Sequence, residues 1–262
     1  MKKVVLAIAT IAAMTASATA ADLAARPYTK APPPIVAPNW TGFYIFGGGG
    51  GGIWAAEQSI ETSPGAVALT RDSRVGGSGW FGTVGAGYDW QFNGSWVAGV
   101  FADGQFGSLR GSIIRPIAGV GAVEGWEKLR DSWAAGVRLG YLVAPNVYSY
   151  VNGGYSGSEW SGVSYTGLGF GTAPVLTTAS FNRNGWFVGG GVENSLDIFG
   201  LHMPGLFMKT EYRAAYYDRI SLPETSVATG LPNGFATTFN PWVQTVSTSL
   251  VYRFGWTGQP RY

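Results

Sequence analysis

The sequence contains no cysteine, only one histidine and few charged residues. Without cysteine, disulfide frameworks and thiolate metal sites are excluded. The single histidine, His202, stands beside Met203 and Pro204 in a predicted turn, away from the Ser and Asp residues of the predicted loops. That position argues against a hydrolase of the Ser-His-Asp or His-dyad type. The sequence therefore predicts no enzyme activity, no catalytic residue, no metal site and no cofactor.

The formal net charge of +2 is close to neutral, and no basic stripe alternates with aromatic residues, so nucleic acid is not an expected partner. Charged residues make up 12% of the chain, whereas 46% is hydrophobic and 15% aromatic. Such a chain is too apolar for disorder and too poor in charge for an ordinary soluble surface. Beyond the N-terminus no run reaches the ~18 apolar residues of a membrane helix. If the chain spans a membrane, it must do so with strands.

The first residues have the features of an export signal. Lys2 and Lys3 precede an apolar run over residues 4–16, and Ala18-Thr19-Ala20 forms a small-x-small cleavage motif. Residues 1–20 are therefore predicted to be a cleaved signal peptide. Residues 21–39, which include three consecutive prolines, are predicted to be an extended periplasmic tether.

Alternation of large apolar with small or polar residues is the main structural signal. Between residues 80 and 92, Trp80, Val84 and Tyr88 share one face, whereas Thr83 and Asp89 share the other. We predict an all-β fold over residues 40–254, an eight-stranded antiparallel up-and-down transmembrane β-barrel. The predicted strands lie near residues 42–54, 79–92, 95–107, 131–144, 147–159, 185–198, 206–218 and 242–254.

Short and long connections alternate along the chain. The short ones are Asn93-Gly94, Pro145-Asn146 and residues 198–205. A signal peptide places the N-terminus in the periplasm, so the long connections are expected outside the cell and both termini inside the envelope. The four long extracellular loops are predicted at residues 55–78, 108–130, 160–184 and 219–241.

The alternation alone does not say which face points outward, because a soluble lipocalin-like barrel keeps its apolar face inside. The apolar face here is too bulky for the interior of an eight-stranded barrel, and its aromatic residues gather at strand ends, as in two membrane girdles. The interior is expected to be mostly Gly, Ala, Ser and Thr with isolated charges. The strands with the weakest pattern are the glycine-rich first strand and the fifth, where Tyr148 and Tyr150 are out of phase with Val151 and Tyr155.

Eight charged residues are predicted to point inward. In a narrow lumen they must pair, because an isolated buried ion costs several kcal/mol. Those on the last three strands are expected to pair with their cross-strand neighbours. The network could be a salt-bridged plug or a gated pathway for small ions. Its members are Asp89, Asp103, Arg138, Glu193, Lys209, Glu211, Arg213 and Arg253.

Two further motifs are weaker. The run Gly47 to Gly52 matches a dinucleotide-binding spacing, but no helix follows and no Lys-Ser/Thr completes a phosphate loop. Close packing or strand bending explains the run better. Arg71, Asp72 and Arg74 in the first predicted loop could contact lipopolysaccharide phosphates or a host ligand, although loop charges also serve solubility alone.

Several short motifs in this order resemble the porin-like outer-membrane immunogenic protein family of alphaproteobacteria. The resemblance spans nearly the whole chain after the signal peptide and implies an OmpA-type barrel, abundant in the outer membrane, with antigenic surface loops and structural, porin-like or adhesive functions. It supplies no catalytic residues. The motifs are Trp40-Thr41-Gly42-Phe43-Tyr44-Ile45, Gly85-Ala86-Gly87-Tyr88-Asp89-Trp90-Gln91, Trp96-Val97-Ala98-Gly99-Val100, Gly136-Val137-Arg138-Leu139-Gly140-Tyr141, Gly189-Gly190-Gly191-Val192-Glu193, Lys209-Thr210-Glu211-Tyr212 and Leu250-Val251-Tyr252-Arg253-Phe254.

Members of that family usually end at the final aromatic residue of the last strand, whereas residues 255–262 continue past it here. Either Leu250, Tyr252 and Phe254 serve as the signal for the outer-membrane assembly machinery, or Tyr262 has taken over. The expected function is a structural or weakly porin-like outer-membrane barrel, expected to be a monomer surrounded by outer-membrane lipid and lipopolysaccharide. The alternatives are a receptor or adhesin that binds through its loops and a soluble lipocalin-like binder.

Overall fold

The computed structural model describes residues 39–117, 121–167, 173–201 and 203–256. These ranges contain no helix that is long and apolar enough to cross a membrane. The predicted signal peptide, the tether up to residue 38, His202 and residues 257–262 lie outside the described residues. The described elements are β1 (Gly42–Thr62), β2 (Ser73–Phe92), β3 (Trp96–Ile117), β4 (Gly121–Ala144), β5 (Val147–Trp160), β6 (Ser164–Gly167), β7 (Pro174–Thr177), β8 (Phe181–Ser195), a 3₁₀ helix (Leu196–Phe199), β9 (Leu206–Tyr217), β10 (Ile220–Ser226) and β11 (Pro232–Arg253).

Eight long strands close into a ring in the order β1, β2, β3, β4, β5, β8, β9 and β11, and β11 pairs with β1. All these pairs are antiparallel, and the closing pair runs from Tyr44 opposite Arg253 to Thr62 opposite Phe235. Closure leaves no free sheet edge, as a lipid environment requires. The predicted eight-stranded antiparallel barrel is confirmed.

At one end of the barrel, which we call the terminal end, lie Trp40, Trp256 and the short Asn93-Gly94 turn. At the other, distal end the strands run further than expected. Where β5, β8 and β9 end, the short strands β6, β7 and β10 take their places, and pairs β4–β6, β6–β7, β7–β10 and β10–β11 complete a second ring with β1, β2 and β3. We call this part the distal extension.

The four long connections are therefore mostly strand, and their prediction as loops was wrong in this respect. The two-residue alternation continues along β3, where Leu109 and Ile113 point inward and Arg110 and Ile114 outward. Beyond the distal aromatic band the outward face mixes polar with apolar residues, as Arg110 and Ile114 show. Because the two faces of these segments differ less in polarity, alternation did not predict that they are strands.

The outward face carries two bands of aromatic residues. Trp80 and Trp90 on β2, like Trp242 and Tyr252 on β11, are ten residues apart and exposed. At ~3.3 Å per residue and a strand tilt near ~40°, the bands are ~25 Å apart, the height of a bilayer's apolar layer. The lipocalin-like alternative is wrong, because the outside of this barrel is suited to lipid.

The interior was expected to be mostly Gly, Ala, Ser and Thr, but it also contains several aromatic residues. On β1, Tyr44 and Phe46 point inward, and on β5, Tyr148 and Tyr150 do so while Val151 faces out. The large rings fit because glycines stand where other inward side chains would be. A Cβ atom on Gly87 would overlap the Tyr44 ring, and one on Gly85 would overlap the Phe46 ring. Glycine thus makes room for aromatic residues in a narrow barrel.

Candidate functional site

The candidate site is the charged interior of the barrel. All eight charged residues that the alternation placed inside are buried there, with exposed fractions between 0% and 7%. They form two groups. The charge ring comprises Asp89, Arg138, Glu193 and Arg253, and the second cluster comprises Asp103, Lys209, Glu211 and Arg213.

The charge ring is closed. Arg138 bonds to Asp89 through two nitrogens, at 2.9 and 2.5 Å, and to Glu193 at 3.2 Å. Arg253 bonds to Glu193 at 2.7 Å and contacts Asp89 at 2.8 Å. Each carboxylate therefore lies between two guanidinium groups, and each guanidinium lies between two carboxylates.

The barrel geometry explains this alternation. The four members come from β2, β4, β8 and β11, which are every second strand around the ring. In a closed barrel, inward side chains of alternate strands lie in one layer. Four strands that carry acid, base, acid and base at one height therefore surround the lumen with alternating charge. A network that satisfies every charge avoids the penalty of a buried, unpaired ion.

Aromatic rings line both faces of the charge ring. The Arg138 guanidinium lies 4.2 Å from the centre of the Tyr44 ring and 5.1 Å from that of Tyr150. The Arg253 guanidinium lies 4.4 Å from the centre of the Trp40 ring. These contacts add cation–π stabilisation and occupy space that water would otherwise fill.

The second cluster lies on the distal side of the charge ring. Arg213 bonds to Asp103 at 2.9 and 2.7 Å and to Glu211 at 2.7 Å. Glu211 also accepts a hydrogen bond from the Tyr150 hydroxyl at 2.8 Å. Lys209 is held less closely, 3.8 Å from Glu211 and 3.3 Å from the centre of the Phe46 ring.

The expected pairing between cross-strand neighbours was wrong. Every ion pair of the charge ring skips one strand, and Lys209–Glu211 and Glu211–Arg213 lie along a single strand. Opposite Glu193 in register on β9 is Lys209, yet Glu193 instead bonds to Arg138 and Arg253. The lumen is narrow enough for long side chains to reach across it. Charged residues therefore pair with others at the same height in the lumen, not with their register neighbours.

Aromatic residues close the terminal end. Trp40 lies 5.0 Å from Phe207, 5.4 Å from Tyr148 and 5.3 Å from Trp256 between ring centres. The Trp40 amide donates to Gln91 at 2.7 Å, and its indole donates to the carbonyl of Pro145 at 3.3 Å. Sequence reasoning missed this seal because Trp40 and Trp256 lie outside the strands, where alternation says nothing.

A second aromatic group closes the lumen near the distal band. Trp54, Trp160, Phe181 and Phe239 are buried, with ring centres 5.2 to 6.1 Å apart. The Trp54 indole donates to the carbonyl of Leu109 at 3.1 Å. These residues belong to segments that were predicted as loops or strand ends, so sequence reasoning missed this seal too.

The distal extension has charged residues of its own inside. Arg115 forms an ion pair with Glu224 at 2.6 Å, and Glu224 accepts hydrogen bonds from Thr237 and Asn233 at 2.8 and 3.0 Å. Glu127 is buried, and within the described ranges its carboxylate accepts hydrogen bonds from the Lys128 amide at 3.1 Å and the Ser161 hydroxyl at 3.5 Å. Burial raises the pKa of Glu127 to about 8 from its usual 4.5.

The remaining predicted sites do not converge. Gly47 to Gly52 lie within β1, which continues as a strand to Thr62. Arg74 contacts Glu57 at 3.7 Å, Asp72 contacts Arg219 at 3.7 Å, and Arg71 is exposed in the turn. Leu250, Tyr252 and Phe254 all face outward near the terminal band. Among the described residues, no group of His, Cys, Asp and Glu could hold a metal ion.

A closed antiparallel barrel with an apolar outside and a paired, polar inside defines an integral outer-membrane protein. The chain belongs to the family of outer membrane protein beta-barrel domains, whose model matches residues 6–254. It is 32% identical over 203 residues to the 31 kDa outer-membrane immunogenic protein of Brucella melitensis biotype 1, covering 75% of this chain and 82% of that protein. The corresponding protein of Brucella suis biovar 1 matches equally.

The outer membrane protein OprG from Pseudomonas aeruginosa has a similar solved structure, with a TM-score of 0.50 at 11% identity over 83% of this chain and 99% of that chain. At this identity the similarity concerns the fold. The resemblance to the outer-membrane immunogenic family is confirmed by the Brucella relatives. The protein is therefore a β-barrel protein of the bacterial outer membrane.

Proposed function

We propose that this barrel is a closed, structural component of the outer membrane rather than a conducting pore. The observation that carries the proposal is the succession of four layers of buried side chains across the lumen. From the terminal end outward lie the Trp40 seal, the charge ring, the second cluster and the aromatic group around Trp54. Each layer uses side chains from at least two strands, and a passage would require all four layers to rearrange.

The energetics favour a closed state. An ion that entered the charge ring would have to displace paired partners, and breaking a buried pair costs ~3–5 kcal/mol. The same pairing supports the absence of an enzymatic role. The carboxylates of Asp89 and Glu193 are fully buried and engaged by Arg138 and Arg253, so they do not reach a substrate.

We place the terminal end in the periplasm and the distal extension outside the cell. The predicted signal peptide and the short turns at the terminal end support this orientation, since outer-membrane barrels have short periplasmic turns. Leu250, Tyr252 and Phe254 would then be presented to the assembly machinery from the periplasm. A lumen whose layers are formed by the side chains of a single chain suits a monomer in contact with outer-membrane lipid and lipopolysaccharide.

Planar-bilayer recording of the refolded barrel tests the proposal. We expect no stepwise current from the wild-type protein. Trp54→Ala combined with Trp160→Ala removes only the distal seal, and because the other three layers remain, this variant should stay closed like the wild type. An ion-selective wild-type current that changes in Glu211→Ala would overturn the closed barrel and support the gated pathway.

A further inference from the structure

Two cations face each other on the outside of the barrel without an anion between them. Arg110 on β3 and Lys128 on β4 are register partners. Both belong to the outward-facing set of their strands, between inward Leu109 and Gly111 on β3 and between inward Glu127 and Leu129 on β4. Directly opposed like charges destabilise an antiparallel pair. This position therefore needs a counter-charge from elsewhere.

Other outward cations nearby have carboxylate partners. Arg74 contacts Glu57 at 3.7 Å, and Arg130 contacts Glu159 at 3.6 Å. In the part of the chain that the structure describes, neither Arg110 nor Lys128 has a carboxylate within 4.0 Å, and the nearest outward acids along β4, Glu124 and Asp131, pair with neither. Among Arg74, Arg110, Lys128 and Arg130, four described cations on this outward face, Arg110 and Lys128 are the two without a carboxylate partner.

An aromatic side chain orients one of the two cations. The Arg110 guanidinium lies over the Trp126 ring, 4.3 Å from its centre. Stacking occupies the face of the guanidinium and leaves the N–H donors in its plane free for oxygen atoms. On the other side of Arg110, β2 presents the small residues Ser78 and Gly76 outward, so space remains for a ligand.

The height of the pair in the membrane indicates the ligand. Arg110 is level with Ser78, two residues beyond Trp80 of the distal aromatic band. At ~3.3 Å per residue and a tilt near ~40°, this is ~5 Å past the band. The headgroup layer extends roughly 5–8 Å beyond the hydrocarbon on each side of a bilayer. Arg110 thus lies at the depth of lipid phosphates. Lys128, five residues beyond Trp133 on its own strand, lies at the outer edge of the headgroup layer, from which its long side chain can extend toward the same phosphate.

We propose that Arg110, Lys128 and Trp126 form a binding site for the phosphate group of an outer-leaflet lipid. The phosphate bridges the two cations, accepting from the in-plane guanidinium N–H groups of Arg110 and from the Lys128 ammonium. This inference rests on the proposed orientation, because only the distal end in the outer leaflet meets those headgroups.

The first test measures thermal unfolding of the refolded full chain in maltoside micelles, which contain no phosphate, and in the same micelles with phosphatidic acid. We expect Lys128→Gln to raise the unfolding midpoint without lipid, since it removes a repulsion, and to lower it relative to wild type when phosphatidic acid is present. A change of the same sign in both conditions would overturn the site.

The second test measures retention of diphosphorylated lipid A by native mass spectrometry. Arg110→Gln with Lys128→Gln should weaken retention by roughly tenfold. Arg74→Gln with Arg130→Gln is the matched control, because it removes the same charge from cations that already have partners, and it should retain lipid like the wild type. An equal loss of lipid A retention in both double variants would indicate non-specific electrostatic attraction and contradict the proposal.

Two comparisons identify the source of the phosphate. Dephosphorylated lipid A should be retained weakly and equally by wild type and variant, and ~10 mM inorganic phosphate should not displace lipid A. Displacement of lipid A by inorganic phosphate, with tight retention of the dephosphorylated lipid, would contradict the assignment of a lipid phosphate as the ligand. Both experiments use the barrel in micelles, so an inverted orientation in cells would appear only in a topology assay, separately from a failure of this site.

Discussion

Asp103 on β3 and Arg213 on β9 are joined by two hydrogen bonds, at 2.9 and 2.7 Å, straight across the barrel. The strands β3 and β9 are four positions apart in a ring of eight, so they lie on opposite sides. One arginine side chain and one aspartate span that distance. The lumen at this height is therefore no wider than a single ion pair, which is the physical basis for a closed interior.

The orientation can be tested with trypsin on intact cells. Arg71 lies in the exposed turn between β1 and β2 at the distal end. We expect cleavage after Arg71 without permeabilisation, because exposed turns are preferred sites of proteolysis. A variant with one lysine inserted in the Asn93-Gly94 turn should be cut there only after the outer membrane is permeabilised. Cleavage at the inserted lysine in intact cells would invert the model.

Removing one member of the charge ring should destabilise the barrel. Glu193→Ala leaves two guanidinium groups with one carboxylate in a dry layer, and we expect a loss of ~3–5 kcal/mol in unfolding free energy in lipid vesicles. Glu57→Ala, whose exposed partner Arg74 is 3.7 Å away, is the control and should cost at most ~1 kcal/mol. A similar small cost for both would mean that water reaches the ring.

The glycines that accommodate aromatic rings should not tolerate a methyl group. Gly87→Ala would press on the Tyr44 ring, which contacts both arginines of the charge ring, and should cost ~1–3 kcal/mol. Gly47→Ala adds the same methyl on the outward face, where the nearest atom would be 3.8 Å away, and should be neutral or slightly stabilising. Denaturant unfolding of both variants distinguishes them, and equal effects would contradict the packing described.

Glu127 should make stability depend on pH. The residue lies six positions beyond Trp133 along β4, outside the aromatic bands, and burial raises its pKa to about 8. A carboxyl whose folded-state pKa is raised holds its proton more tightly when folded. Its contribution is fully present below pH 4.5 and is lost as the pH rises to about 8, with a slope of at most ~1.4 kcal/mol per pH unit.

Unfolding free energies between pH 5 and 9 measure this effect. Glu127→Gln, which mimics the protonated carboxyl, should flatten the decline and be more stable than the wild type at pH 9. Glu159→Gln is the control, because Glu159 is exposed and should leave the slope unchanged. A wild-type slope that survives in Glu127→Gln would place the titration on another group.

Alternation along the chain was sufficient to predict the closed barrel, its lipid-facing surface and the burial of residues such as Asp89, Arg138 and Glu193. A strand exposes its faces with a period of two, so the side to which a residue points is a local property. Alternation did not predict which face of β5 points inward, because both of its faces carry large apolar or aromatic residues. Only packing decided that Tyr148 and Tyr150 point inward, because they meet Arg138 and the space that Gly140 leaves.

The sequence alone could not predict which of the inward charged residues form ion pairs with each other. Asp89 meets Arg138 and Arg253 because closure and strand tilt bring alternate strands to one height, and that stagger is a property of the whole ring. The distal extension also depends on the whole ring. The strands β6, β7 and β10 are too short to form a stable sheet by themselves, and they pair where longer neighbouring strands continue past the ends of β5, β8 and β9. Residue type and period thus determined which side chains enter the lumen, whereas the closed tertiary structure decided which of them touch.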